Sequence, residues 1–409
     1  MVHLHQFSFW LSVCLLSSEK HFVNSLPSSL ESAFDRVAFP RQAADDDSLS
    51  PDIADLSYIR NFAAVGDSYA AGIGAGVRDD AACARYYDAY PRLINRDGRL
   101  GNSWRRNFQF AACSGHTSRD VTLLQIPGLD RNVDAMTISA GGNDVGLTQV
   151  LNDCIYGWLA PPQEKCNQTL EETENAIRTV LPQNLDNMLA WAKSRLRPRI
   201  GRAYYVNYAK FFSEADTQCD SVSWSWYQSQ LNDNEKLYLT LEKRQRLNAL
   251  VQLTNEAISA AVERAGDQVI YVDVNQYYEI WGGRFCEKGV TEPDPNNDFL
   301  LFFERETGEG EFPFRAKMRR DNSVEEELGD VPEGTFEAQI VDYIEASLRM
   351  HPDWIEDLET AETQALDNTT SLSRRAWISW LIRDQDKRVF HPRPNGHAII
   401  AMNVLYHME

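Results

Sequence analysis

The stretch "FAAVGDSYAAGIGAG", residues 62–76, reads as an apolar strand that breaks into a glycine-studded turn with one hydroxyl, Ser68, at the break. A near-continuous apolar run of this length suits a strand buried on both faces, and the small residues after it open a helix. Similar runs recur at "FQFAA" (108–112), "AMTIS" (135–139), "AYYVN" (203–207) and "QVIYVDV" (268–274). Helical patterns separate them, the clearest at 170–196 and at 239–266, the second closing on Gly266 as its carboxyl cap. Strands alternating with helices predict an α/β fold: a three-layer α/β/α sandwich around a doubly wound, flavodoxin-like parallel sheet of about five strands.

Ligands in such sheets bind beyond the carboxyl ends of the strands, where the winding reverses. The loops after the first three strands carry "GDSYAAG", "CSGHTS" and "GGND". Each brings a part that acyl transfer requires. Ser68 supplies a hydroxyl beside backbone N–H groups at a helix start. Gly115 offers an N–H with no side chain in the way, and Asn143 offers its amide, so Ser68, Gly115 and Asn143 together form an expected oxyanion hole. Serine needs a base within hydrogen-bond reach. Among His116, His351, His391, His397 and His407, the choice falls on His391, which sits in "RVFHPRPNGHAII" just before the last helix. His397 falls in the first turn of that helix and is expected to be structural.

The blocks "GDSY", "CSG", "GGND" and "HPRPNGH", in that order, resemble those of the SGNH hydrolases, also called GDSL esterases and lipases. Tyr69 stands where the family name implies leucine. The resemblance implies Ser68 as nucleophile, Gly115 and Asn143 as oxyanion donors, and His391 as general base and acid. Many members place an aspartate three residues before that histidine, where this chain has Arg388. Two repairs offer themselves. Asp386 or Asp384 reaches His391, or a backbone carbonyl, most simply that of Arg388, accepts the imidazole N–H. The branch resembling actinomycete secreted esterases uses a Ser–His dyad of the second kind, and the carbonyl is favoured here. The spacing of "GIGAG" fails the dinucleotide-binding pattern, and GxSxG is absent.

Composition bounds the rest. Of 409 residues, 43% are hydrophobic, which excludes general disorder, and a formal net charge of −20 argues against a nucleic-acid partner. The run "FSFWLSVCLLSS" has the length of a signal-peptide core rather than a membrane span. Residues 1–25 are therefore expected to be a secretory signal, 26–57 a polar leader or propeptide, and 58–409 the hydrolase domain. Within that domain an acidic, partly helical insertion is expected at about 287–385, either as a flap beside the site or as a solvated addition.

Besides Cys14 in the presumed signal, six cysteines remain, an even number that suits an oxidising compartment. Pairing between neighbours in sequence is favoured: Cys83 with Cys113, Cys154 with Cys166, Cys219 with Cys286. Sequons at Asn167 and Asn368 permit glycosylation. The aromatic stretch "SVSWSWYQSQ" is read as packing near Cys219, or as the lining of an acyl or glycan groove. The function expected is that of a secreted, monomeric serine ester hydrolase that needs no metal or cofactor. Its substrate would be a small-molecule or polymer-attached ester of short or medium acyl chain. The alternative is a secreted carbohydrate- or lipid-binding protein on the same scaffold, its chemistry lapsed.

Overall fold

The computed structural model describes residues 55–80, 82–159, 163–227, 231–305, 307, 334–351 and 388–409. Its main sheet has five parallel strands: β1 (Asn61–Gly66), β4 (Asn107–Phe110), β5 (Ala135–Ser139), β6 (Arg202–Val206) and β7 (Val269–Val272). Their spatial order is β4-β1-β5-β6-β7, the doubly wound flavodoxin-like arrangement. The chain steps from β1 to one side to build β4, then crosses back to build β5 on the other. The winding therefore reverses at β1, and Phe62 pairs with both Phe108 and Ala135. A short antiparallel hairpin, β2 (Arg78–Asp80) with β3 (Arg85–Tyr86), lies outside this sheet.

Among the described residues the α-helices are α1 (Ser68–Ala71), α2 (Tyr90–Arg96), α3 (Ser118–Asp120), α4 (Leu147–Leu151), α5 (Gln163–Thr179), α6 (Leu181–Arg195), α7 (Leu241–Ala265), α8 (Asn275–Trp281), α9 (Phe336–Met350) and α10 (Pro394–Met408). One layer packs α2 on α10; the other packs α5, α6 and α7 together. Covered on both faces, β5 is buried along its whole length, whereas the edge strands β4 and β7 are partly exposed.

The continuous helical pattern at 170–196 is in fact two helices. Pro182 lies in the first turn of α6, where its missing N–H is tolerated; further inside a helix its ring would clash with the carbonyl four residues back. Helix α7 starts at Thr240, whose side chain accepts the Lys243 N–H, and stops at Gly266, at φ 79°. The six cysteines pair as Cys83–Cys113, Cys154–Cys166 and Cys219–Cys286. Among the described residues, no helix is long and apolar enough to cross a membrane. The signal and leader expected at 1–57 fall almost wholly outside the described residues, as do Asn368 and most of the segment 287–385.

Two described parts of that segment touch the rest of the fold. Residues 301–303 run beside 390–393: the Phe303 N–H donates to His391 O at 2.8 Å, the Phe390 N–H to Phe303 O at 2.9 Å and the Arg393 N–H to Leu301 O at 2.8 Å. Further on, α9 lies against the loop after β4.

Candidate active site

Ser68 opens α1 directly beyond β1 and is 5% exposed. The turn that presents it depends on Gly66, at φ 143°, where a Cβ would stand 2.1 Å from Ser139 O on the neighbouring strand. Asp67 caps α1, its side chain accepting the Tyr69 N–H at 3.0 Å and the Tyr208 hydroxyl at 2.5 Å. Tyr208 in turn accepts the Gly142 N–H at 3.1 Å, which joins the serine turn to the loop carrying Asn143. Burial raises the Asp67 carboxyl to about 7 against these hydrogen bonds.

His391 arrives from the opposite end of the sequence. Ser68 Oγ–H donates to its Nε2 at 2.7 Å, and its Nδ1–H donates to Val389 O at 3.0 Å. A carbonyl only accepts, so Nδ1 carries the proton and Nε2 presents its lone pair to the serine. The acceptor is one residue later than the Arg388 carbonyl expected from sequence. Phe390 adopts φ 64°, and in the turn it makes Arg388 O accepts the His391 backbone N–H at 3.2 Å while Val389 O accepts the ring Nδ1–H. Asp384 and Asp386 lie outside the described residues. The ring is 1% exposed, and burial holds its pKa down to about 4, opposed by the Val389 and Arg388 carbonyls.

A left-handed backbone is unfavourable for phenylalanine, costing on the order of 1–2 kcal/mol, and packing maintains it here. The Phe390 ring stands edge-on to Phe211, Tyr156 and Trp224, with centroids 4.9, 6.0 and 6.1 Å away. Trp224, from the aromatic stretch after Cys219, therefore packs against the base loop. Tyr69 ties that loop to the serine turn: its hydroxyl donates to Phe390 O at 2.6 Å, and its ring lies 5.3 Å from the imidazole. The departure from leucine at position 69 thus has a structural part to play.

Gly115 and Asn143 occupy the loops after β4 and β5, on either side of Ser68. Neither the Ser68 N–H nor the Gly115 N–H makes a hydrogen bond among the described residues. Asn143 Nδ2 donates to His116 O at 3.0 Å, and its amide carries a second hydrogen. The loop before Gly115 is held by the Cys83–Cys113 disulfide and by the Ser114 N–H, which donates to Cys83 O at 3.0 Å.

The other histidines are placed elsewhere. His116 Nδ1 is 3.0 Å from Gln125 Nε2, and burial lowers its pKa. His397 accepts the Tyr90 N–H at 3.3 Å inside the α2–α10 layer, and burial takes its pKa to about 3. His351 ends α9 and His407 lies in the last turn of α10.

A model of the GDSL-like lipase/acylhydrolase family matches residues 64–294. The chain belongs to that family. A Streptomyces rimosus lipase is 30% identical over 138 residues, 33% of this chain and 48% of the relative. Lipase 1 of Streptomyces coelicolor is 28% identical over 164 residues, 40% of this chain and 57% of the relative. The chain thus spans about half the length of the curated relatives it matches. Among solved structures, the extracellular lipase of Streptomyces rimosus is 23% identical, covering 57% of this chain and 89% of its own at a TM-score of 0.45. Phospholipase A1 from Streptomyces albidoflavus is also 23% identical, covering 56% and 84% at a TM-score of 0.44. The family match stops at residue 294, so His391 and α9 lie beyond it.

Proposed function

We propose that this chain is a carboxylic ester hydrolase that works through an acyl-enzyme on Ser68, with His391 as the sole base. The reading rests on one observation above all: the Ser68 hydroxyl donates to a buried, neutral imidazole at 2.7 Å, while a backbone carbonyl holds the other ring nitrogen. Family membership supports the same reaction class.

As Ser68 Oγ bonds to the ester carbonyl carbon, its proton passes to His391 Nε2 and the carbonyl oxygen becomes an oxyanion. The Ser68 and Gly115 N–H groups and the Asn143 amide are the donors for that charge. Collapse breaks the bond to the alcohol oxygen, which takes the proton from Nε2. Water then attacks the acyl-enzyme with the same base, releasing the acid and restoring the serine. Val389 O orients the ring and stabilises the imidazolium, the task a carboxylate performs in a full triad.

The substrate class is short or medium acyl esters, free or polymer-attached. Three disulfides within one chain support work in an oxidising, extracellular setting. A fluorophosphonate probe tests the reading directly. Wild type should label at Ser68 and hydrolyse p-nitrophenyl esters, and Ser68→Ala should do neither. An unlabelled, inactive wild type would favour a binding protein instead.

A further inference from the structure

Helix α9 lies beyond the family match and docks its first turn on the site. Thr335 caps it, accepting the Ala338 N–H at 3.2 Å. Ser114, the neighbour of Gly115, anchors it twice: its Oγ accepts the Phe336 N–H at 3.1 Å and donates to Glu337 Oε2 at 3.1 Å, all three residues being buried. The two backbones are close enough that a Cβ at Gly115, itself at φ 79°, would stand 1.8 Å from Gly334 O. This anchoring sets the Phe336 ring edge-on to the imidazole of His391, with centroids 4.6 Å apart at 66°.

The chemistry of ester cleavage says which part of a substrate would meet that ring. The leaving oxygen takes its proton from His391 Nε2, so it must come within hydrogen-bond reach of that nitrogen. The group on that oxygen, the alcohol portion, therefore extends beside the imidazole, while the acyl chain leaves the carbonyl carbon in another direction. A ring packed on the imidazole borders the alcohol.

On the strength of the hydrolase reading, we propose that Phe336 determines specificity for the alcohol portion of the ester, favouring small alcohols over bulky ones, with Ser114 and Glu337 as its positioning residues.

Matched esters of one acid test this. kcat/KM would be measured for ethyl and cyclohexyl butyrate, and separately for ethyl acetate and ethyl octanoate. Phe336→Ala should raise the cyclohexyl-to-ethyl ratio about tenfold or more, the scale of discrimination by shape in an apolar pocket. Phe336→Leu, which keeps an apolar cover and carries the test if the alanine variant does not fold, should fall between. Ser114→Ala and Glu337→Gln should move the ratio the same way by a smaller factor, a shift that mere destabilisation would not produce. The acetate-to-octanoate ratio should stay within twofold. An active enzyme whose alcohol ratio stays within twofold in both Phe336 variants would overturn this inference alone, as would a change confined to acyl preference. A wild type inert to every ester would overturn the hydrolase reading, and this inference with it.

Discussion

The two halves of the candidate site are held in place by different means. Ser68, Gly115 and Asn143 hang from three adjacent strands, stitched by sheet hydrogen bonds and by links such as the Asp67 N–H to Ser139 O at 2.8 Å and the Cys113 N–H to Gly66 O at 3.0 Å. His391 hangs from a loop outside the sheet, tied by backbone hydrogen bonds to 301–303 and oriented by the carbonyl of Val389, two residues before it, and by the rings around Phe390. The strand-edge half is positioned by backbone that most side-chain changes leave alone. The base half depends on a segment outside the sheet and on the rings packed around Phe390, so it should be the more sensitive to conditions and to substitutions at a distance.

Asn143→Ala tests the strand-edge half and should have the largest effect. Losing one oxyanion donor should lower kcat about a hundred- to a thousandfold while thermal stability changes little. An unaltered kcat would remove Asn143 from the oxyanion site and leave its amide the bond to His116 O.

Acidity tests the base half. Burial lowers the His391 pKa from the ordinary 6.5 to about 4, so the neutral base persists well into acid solution. kcat/KM should show no limb from His391 as pH falls from 7 towards about 5, a window in which the Asp67 carboxyl takes up its proton, and should drop about tenfold per unit below about 4 as Nε2 takes up a proton. An acid limb near 6.5 that persists in Asp67→Asn would mean that the imidazole is solvated in the working enzyme, and that the cover formed by Phe336 is not kept during turnover.

The link between the halves should show the smallest effect. Tyr69→Phe keeps the ring beside His391 but removes the donor to Phe390 O. One buried hydrogen bond contributes about 0.5–1.5 kcal/mol, so kcat should fall about three- to tenfold. A loss of a hundredfold or more would show that the base loop has no placement independent of the serine turn.

The strands were legible because burial on both faces leaves an unbroken apolar run, and 135–139 was read to the residue as β5. Where two helices abut, as at Thr179 and Leu181, amphipathic spacing runs on across the joint and only Pro182 marks it. Ser68 and His391 were legible as members of spaced blocks. The ring's true acceptor was not, because the difference between Arg388 O and Val389 O turns on the positive φ of Phe390, and a phenylalanine gives no local sign of that conformation. Tyr69 stood in view as a departure from pattern, yet its partner lies 321 residues away. Phe336 carried no signal, since its place depends on how a segment outside the family match docks against Ser114.

The separation of 323 residues between Ser68 and His391 bears on how such a chain is made. At about 5–20 residues per second, a ribosome completes the nucleophile's strand roughly a quarter to a full minute before it adds the imidazole. Throughout that interval the nascent polypeptide carries the Ser68 hydroxyl without the imidazole it hydrogen-bonds in the folded chain. The pair forms only when the segment carrying His391 folds back onto the turn carrying Ser68.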